Sequence, residues 1–273
     1  MDWGMRNRLS RMFRPASGNS VMLAVDHGYF MGPTRRLEDV GATVGPLLPH
    51  ADAVALTRGI LRSCVPPESP TPIVLRVSGG ATILQDDLSD EAITTSMRDA
   101  ARLNVSAVAL SVFVGAPHEH QSLVNLSRLV DDGEEAGVPV MAITAVGKEL
   151  EKRDARYLSL ACRVSAEIGA HLVKTYYCDN FSKVVEGCPV PIVVAGGPKL
   201  DSDRAALELA HRAIAEGAHG LDMGRNIWQS DHPVAMLKAL RAIVHDKATV
   251  GEAWDVLEGE KGRAPSPART ATA

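Results

Sequence analysis

The sequence contains few aromatic residues, no excess of positive charge and no long apolar run, and each absence excludes a class of protein. Phe, Trp and Tyr make up 4% of the 273 residues, so few rings are available to stack on single-stranded bases. The formal net charge is -4, which excludes a strongly basic protein held to nucleic acid by its phosphates. No run of 18 apolar residues occurs, so the sequence predicts neither a nucleic-acid nor a membrane partner.

Cysteine is scarce as well, and its spacing carries no metal or redox signature. The four cysteines, which form neither a C-x-x-C pair nor a zinc-finger pattern, are Cys64, Cys162, Cys178 and Cys188. The first twenty residues contain arginines but lack the apolar region of a signal peptide. Together these features predict a reduced, cytoplasmic protein.

Short apolar runs rich in Val, Ile and Ala recur along the chain. Near-continuous apolar runs of this length indicate strands buried on both faces, and hence a parallel sheet. The predicted strands are residues 21–26, 53–57, 72–77, 107–112, 138–144, 171–175, 190–196 and 219–224.

Amphipathic stretches between these runs predict helices. The first long one is expected to begin at Ser89 as N-cap, with Asp90 and Glu91 in its first turn. The Pro-rich stretch 59–70 predicts a degenerate second helix. The predicted long helices are residues 88–104, 121–136, 155–168, 203–216 and 233–245.

Eight strands, each leading to a helix or helical turn, predict an α/β fold of the (β/α)₈ TIM-barrel type. A doubly wound sheet is the alternative, but no G-x-G-x-x-G follows the first strand to favour it. We expect a lead segment over residues 1–20, one catalytic barrel over 21–258 and a disordered Pro-, Ala- and Thr-containing tail over 259–273.

Lys174 is the sharpest candidate for chemistry, because it lies inside the apolar sixth strand. Active sites of such barrels form at the carboxyl ends of the strands. Burial lowers the pKa of a lysine and makes its amine a nucleophile that can form a Schiff base with a carbonyl. The alternative is a structural ion pair with Asp26 or Asp222. The residues alone leave these two interpretations open.

The ends of the seventh and eighth strands predict a phosphate site. Gly196 and Gly197 end one strand, and Gly224 and Arg225 end the other. Glycines let backbone N–H groups approach an anion, and arginine can bind phosphate oxygens bidentately. The glycines could also be no more than tight turns, but their paired placement favours phosphate binding.

Asp26 and His27 end the first strand, where a carboxylate and an imidazole could orient the lysine or act as acid and base. His118, Glu119 and His120 have the residue types of metal ligands, but no further ligand is indicated, so no metal is predicted. The candidate substrate contacts are Arg58, Arg76, Glu119, His120 and Lys148.

With these residues in hand, the chain resembles the class I aldolases of the archaeal and bacterial fructose-bisphosphate aldolase type, in particular the autoinducer-2-phosphate thiolase branch. The resemblance covers nearly the whole chain and implies a barrel, a Schiff-base lysine on the sixth strand, no metal, and rings of five or ten subunits. The stretches that carry it are AVDHGYFMGP (24–33), TRGILRSCVPP (57–67), HQSLVNLSRLVD (120–131), MAITAVGKEL (141–150), VKTYY (173–177), CPVPIVVAGGPK (188–199) and LDMGRNIWQSDHPVAML (221–237).

Carried over by residue, the resemblance implies that Lys174 is the Schiff-base lysine and Asp26 the carboxylate near the reacting centre. It also implies that the two glycine pairs with Arg225 form the substrate-phosphate site. The fructose-bisphosphate aldolases have Tyr-Pro-Arg-Gly after the fifth strand, with the tyrosine as acid and base, whereas this chain has Thr144 to Gly147 there. The thiolase branch similarly has threonine, so we place Thr144 with Lys174, Asp26 and His27 among the catalytic residues.

The resemblance implies an enzyme that makes or breaks a C–C bond next to a dihydroxyacetone-phosphate-like ketone. The thiolase reaction would transfer acetyl from a phosphorylated hydroxypentanedione to coenzyme A, a co-substrate, with no bound cofactor. One alternative is aldol condensation of dihydroxyacetone phosphate with an aldehyde such as aspartate semialdehyde, in aminohydroxybenzoate-type biosynthesis. The alternative from another class is a sugar-phosphate-binding barrel without catalysis. A homo-oligomer, as pentamer or decamer, is the expected assembly.

Overall fold

Eight parallel strands close into a barrel, as the alternation of apolar runs predicts. The structure, a computed structural model, describes residues 1–146 and 153–261. The predicted (β/α)₈ fold and all eight strands are confirmed. The strands are β1 (Ser20–Ala24), β2 (Ala53–Thr57), β3 (Ile73–Arg76), β4 (Ala107–Val112), β5 (Val140–Thr144), β6 (Leu172–Tyr176), β7 (Ile192–Ala195) and β8 (Gly220–Met223).

Each strand pairs with its neighbours in chain order, and β1 closes the barrel against β8. At this closure Ser20 lies opposite Gly220, whose φ is +147°. A Cβ at Gly220 would lie 2.1 Å from the Ser20 carbonyl oxygen, so only glycine allows the two backbones to meet here.

The helices form an outer layer and are capped by side chains that the sequence supplies locally. Asp154 and Ser202 each accept a hydrogen bond from the backbone N–H three residues further on. The helices are α1 (Trp3–Met12), α2 (Gly28–Met31), α3 (Val40–Val44), α4 (Arg58–Cys64), α5 (Met97–Arg102), α6 (Glu119–Ala136), α7 (Ala155–Glu167), α8 (Phe181–Gly187), α9 (Asp203–Ala215), α10 (Arg225–Trp228), α11 (Pro233–Asp246) and α12 (Val250–Lys261).

The prediction of a helix over residues 88–104 is wrong for its first half. Residues 92–93 instead form a short antiparallel pair with residues 78–79, and α5 begins only after Ser96, which is its N-cap. Ser89 caps no helix and donates its hydroxyl to Asp87. Contacts far along the chain outweigh the local helical pattern here, because Ser78 binds the Glu91 carboxylate and anchors the segment at the barrel.

Two ends of the chain add structure to the predicted segments. The lead segment contains α1, which begins at the N-cap Asp2, and α12 continues to Lys261, three residues past the predicted end of the barrel at residue 258. The rest of the predicted tail, residues 262–273, lies outside the described residues. None of the helices in the described ranges is both long and apolar enough to cross a membrane.

The barrel interior is filled at its amino end and polar at its carboxyl end. Successive strand residues point to opposite sides, so alternate residues of every strand share the interior. Near the amino ends a buried cluster joins Met22 and Met141 to Met12 of α1, which lies beneath the barrel. In the next layer of side chains towards the carboxyl ends, the same interior face carries Arg76, Lys174 and Asp222. The filled amino end therefore closes the bottom of a polar pocket at the carboxyl ends of the strands.

Candidate active site

The interior pocket brings together most of the residues that the sequence predicted for the site. It lies at the carboxyl ends of the strands, where barrels of this type carry their active sites. Its lining includes the predicted residues Asp26, His27, Arg76, Lys174, Gly196, Gly197, Gly224 and Arg225.

Lys174 is buried and forms an ion pair inside the pocket. It projects from β6, is 8% exposed, and its Nζ lies 2.7 Å from Asp222 Oδ2 of β8. Burial opposes the charged amine, but Asp222 and Asp26 outweigh burial and raise the pKa of Lys174. The expectation of a lowered lysine pKa is therefore wrong for this state. The ion pair with Asp222, one of the two interpretations from the sequence, is present and lies in the pocket itself.

The partner carboxylate is suited to take the proton of the lysine. Asp222 is 1% exposed, and burial raises its pKa even though Lys174 opposes that change. A carboxylate with a raised pKa in direct contact with an ammonium group gives the proton a short path away from the amine. The pair can thus supply the neutral lysine that attack on a carbonyl requires.

Asp26 and His27 lie beside this pair in different charge states. Burial disfavours the Asp26 carboxylate, but Lys174 and Arg76 overcome burial and lower its pKa. His27 is held neutral, because burial lowers its pKa from 6.5 to about 4. Its Nδ1 lies 4.0 Å from Asp26 Oδ1, and its ring meets Trp228 edge-on at 5.9 Å between centroids. A Cβ at Gly224 would lie 2.7 Å from His27 Cε1, so glycine is required beside this ring.

The β7 and β8 side of the pocket carries positive charge without acidic partners among the described residues. Arg225 begins α10 beside Gly224, and burial with the nearby Arg153 lowers the pKa of its guanidinium. Arg153 stacks on the ring of Tyr176, with Cζ 3.6 Å from the centroid. A Cβ built on Gly197 would lie 3.6 Å from Arg153 Nη1, which places this arginine at the predicted phosphate site. The Nε atoms of both arginines are buried without a hydrogen-bond partner in the described part of the chain.

The opposite side, around β3, holds an arginine that is hydrogen-bonded to several protein side chains. Arg76 is 6% exposed and donates to both Glu91 carboxylate oxygens at 3.1 Å. It also donates to Tyr29 at 2.5 Å, to Ser111, and to Asp26 Oδ2 at 3.5 Å. Arg76 lines the pocket as predicted, but its donors are bound by the protein, so it organises this wall rather than offering a free cation.

Several predicted residues lie away from the pocket lining. Thr144 is buried on the other face of β5, where its hydroxyl donates to Thr175 Oγ1 at 2.8 Å, so its assignment to the catalytic group is not supported by its position. Arg58 pairs with Asp99 at 3.1 Å on the outer surface. Glu119 and His120 begin α6, where His120 is exposed, and neither lines the pocket. Lys148 lies outside the described residues.

The lining or adjacent residues that were not predicted as site residues include Tyr29, Glu91, Tyr176 and Arg153. Tyr29 follows Asp26 by three residues, so its place in the segment directly after the first strand was the available signal. Glu91 was hidden by the wrong helix assignment. As for metals, the described residues contain no group of three His, Cys, Asp or Glu side chains arranged to hold an ion. His118 instead lies 3.5 Å from Asp87.

The site combines a buried lysine inside a closed barrel with arginines beside glycine turns. The profile described as "DeoC/LacD family aldolase" matches residues 20–230 of this chain. The chain belongs to the DeoC/LacD aldolase family and is an enzyme.

Curated relatives and solved structures agree with this family. The chain is 55% identical over 262 residues to 3-hydroxy-5-phosphonooxypentane-2,4-dione thiolase of Escherichia coli strain K12, covering 96% of this chain and 89% of the relative. It is 53% identical, at the same coverage, to the thiolase of that name from Photorhabdus laumondii. A structure of a Schiff-base-forming fructose-1,6-bisphosphate aldolase matches with a TM-score of 0.80 and 26% identity, covering 88% of this chain and 99% of that one.

Proposed function

We propose that this enzyme is a thiolase that forms a Schiff base through Lys174 and transfers acetyl from 3-hydroxy-5-phosphonooxypentane-2,4-dione to coenzyme A. The observation that carries the proposal is the 2.7 Å contact between Lys174 and Asp222 inside the pocket. The 55% identical thiolase supports the substrate.

The chemistry begins with transfer of the Lys174 proton to Asp222. The neutral amine attacks the ketone next to the phosphate-bearing carbon, and loss of water gives an iminium ion. The sulfur of coenzyme A attacks the other ketone, and the C–C bond between that carbon and the hydroxyl-bearing carbon breaks. Its electrons pass into the iminium ion and give an enamine on Lys174, while acetyl-coenzyme A leaves. Protonation of the enamine carbon and hydrolysis then release dihydroxyacetone phosphate.

The positive side of the pocket supports the phosphorylated substrate. Arg225 and Arg153 have unpaired buried Nε atoms and no acidic partner among the described residues. A phosphate between them and the glycine turns would accept charge-assisted hydrogen bonds, which are stronger than neutral ones. The sequence predicted this site from Gly196, Gly197, Gly224 and Arg225; Arg153 joins them in the proposal.

The β5 side of the pocket favours thiolysis over simple aldol cleavage. Ile143 and Ala145 line it, so among the described residues this wall carries no acid or base in the position of the aldolase tyrosine. Aldol condensation of dihydroxyacetone phosphate with an aldehyde needs the same lysine and phosphate site and remains the second candidate. A panel that offers coenzyme A with the diketone, and aspartate semialdehyde with dihydroxyacetone phosphate, separates the two by product.

The proposal also covers cofactor, assembly and location. The enzyme acts without a bound cofactor, with coenzyme A as co-substrate, and forms a homo-oligomer of five or ten subunits in the cytoplasm. The free thiols of Cys64, Cys162, Cys178 and Cys188 support a reducing compartment. The exposed side chains of Trp3 and Leu160, 73% and 54% accessible, support burial in an assembly. Light scattering of the purified protein gives the subunit number directly.

Borohydride trapping tests the Schiff base. Reduction in the presence of dihydroxyacetone phosphate should add one substrate unit to a peptide that contains Lys174, and Lys174→Ala should abolish both adduct and turnover. Lys238→Ala is the matched control, because Lys238 also forms an ion pair, 2.6 Å from Glu260, but on α11 away from the pocket. Normal turnover by Lys174→Ala would exclude this mechanism.

A further inference from the structure

The reaction needs a proton carrier, and the described residues of the β5 wall provide none. The thiol must lose a proton before its sulfur attacks, and the enamine carbon must later gain one. Ile143 and Ala145 face the pocket from this wall, and Thr144 faces Thr175 behind it. Asp222 is engaged with Lys174 and Asp26 with Arg76, so a separate group is needed for the substrate protons.

Tyr29 reaches the pocket from the opposite wall with its hydroxyl already in a hydrogen-bonded chain. The phenol donates to Glu91 Oε1 at 2.6 Å and accepts from Arg76 Nη2 at 2.5 Å. Arg76 also lies over the ring, with Cζ 4.3 Å from its centroid. Burial raises the pKa of Tyr29 above its usual value, so the phenol carries its proton at neutral pH.

Glu91 is fixed as the acceptor at the far end of this chain. It is 4% exposed, and its Oε2 accepts from Ser78 Oγ at 2.6 Å. Its backbone carbonyl accepts from Asn125 Nδ2 at 3.0 Å, which holds the residue at the barrel from the α6 side. A buried carboxylate held in one geometry next to a phenol can take a proton through it without reorganisation.

We propose that Tyr29 and Glu91 form the proton relay of this enzyme, a role that rests on the thiolase function proposed above. The Tyr29 oxygen accepts the proton of the attacking thiol while the phenol proton passes to Glu91, and the sulfur forms its bond to the carbonyl carbon. After the C–C bond breaks, the proton returns from Glu91 through Tyr29 to the enamine carbon. The thiol proton thus ends on the released ketone, and both residues return to their starting state.

The molecule contains a second group of the same composition, which lies outside the pocket. Tyr177 donates to Glu216 Oε1 at 2.5 Å, and Arg212 lies over its ring with Cζ 5.0 Å from the centroid. Burial and Glu216 raise the pKa of Tyr177 to about 12. Since neither Tyr177 nor Glu216 lines the pocket, this group supplies a control with matched chemistry and no access to substrate.

Hydrogen exchange at carbon tests the relay separately from the thiolase assignment. Wild type incubated with dihydroxyacetone phosphate in D2O should incorporate deuterium next to the ketone through the Lys174 enamine. Tyr29→Phe should still form the borohydride adduct within about twofold of wild type, while exchange and coenzyme A-dependent turnover fall about 100-fold or more. Tyr177→Phe should keep exchange, adduct and turnover within about twofold.

The outcomes separate the two proposals. Equal exchange and turnover in Tyr29→Phe and wild type would overturn the relay and leave the Schiff base intact. Absence of an adduct in wild type would overturn the Schiff-base function and the relay with it. Exchange lost in Tyr29→Phe without any acetyl-coenzyme A made by wild type would support the relay and reject the thiolase assignment.

The glutamate end is tested by kinetics and exchange. Glu91→Gln keeps one of the two oxygens that accept from Tyr29 and Ser78 but cannot take the proton, so its kcat should fall about 100-fold, with KM changed less. Deuterium exchange should fall in parallel, while the borohydride adduct stays within about twofold of wild type. Ser78→Ala removes a hydrogen bond to Glu91 and keeps the carboxylate, so it should retain exchange within about tenfold of wild type. Exchange at the wild-type rate in Glu91→Gln would contradict the relay.

Discussion

Arginines lie at the same pocket on opposite sides, and the two sides differ in the hydrogen-bond donors that the protein leaves free for a ligand. On the β3 side, Arg76 donates hydrogen bonds to Glu91, Tyr29 and neighbouring oxygens. On the β7 and β8 side, Arg225 and Arg153 have no acidic partner among the described residues. The comparison teaches that arginines at one pocket can serve two purposes, since Arg76 is partnered by the protein and the other two keep donors for the anion proposed above.

The largest expected effect comes from breaking the completed site. Arg76→Met leaves the Asp26 and Glu91 carboxylates buried without their cation, and removing one partner of a buried pair costs about 3–5 kcal/mol. We expect a loss of that order in the free energy of unfolding, measured by urea denaturation with circular dichroism. A loss below about 1 kcal/mol would show that Arg76 is not the organising charge of this wall.

The ligand side should respond in affinity rather than in stability. Arg225→Met removes a charge-assisted donor worth about 1.5–3 kcal/mol to the substrate phosphate, so KM should rise about 10-fold or more. The free energy of unfolding should stay within about 1 kcal/mol of wild type, because no acid is left unpaired. Competition by inorganic phosphate should weaken in parallel. A destabilisation as large as that of Arg76→Met would remove the contrast between the two sides.

A third expected effect, spread over a range of pH, sharpens the boundary between the sides, where His27 lies. The pKa of His27 is about 4 in the folded chain and 6.5 for the free group. Between pH 4 and 6.5 the unfolded chain therefore binds a proton at His27 that the folded chain does not bind. Stability should therefore fall as pH drops from 6.5 towards 4, by at most about 1.4 kcal/mol per pH unit from this group. His27→Asn should reduce that slope, measured from urea midpoints across the range, and the exposed His120→Asn should not.

The fold could be predicted because continuous apolar runs have few other structures open to them. Eight such runs require a sheet that is covered on both faces, and a closed barrel satisfies this for every strand. The stretch around Glu91 could not be predicted in the same way. Its local pattern is helical, but the partners that hold it, Ser78 and Arg76, become neighbours only after the barrel forms.

The candidate site was predictable where a residue sits at the end of a strand. Asp26 and the glycine turns follow from that position alone, and Lys174 follows from being a charged residue inside an apolar strand. Thr144 shows the limit of the argument, because a shift of one residue along a strand moves a side chain to the opposite face. Ile143 pairs with Lys174 and shares its side, which places Thr144 behind the wall. Tyr29 and Arg153 come from connections whose paths the strand pattern does not set.

The methionine of α1 beneath the barrel has a consequence for the traffic of molecules through the enzyme. Since Met12 fills the amino end of the described barrel, molecules reach and leave Lys174 through the carboxyl end. The molecule that binds first therefore lies deepest in the pocket and leaves last. Steady-state kinetics should then show a compulsory order, in which the ketone binds before its acyl acceptor and the phosphorylated fragment is the final product to leave.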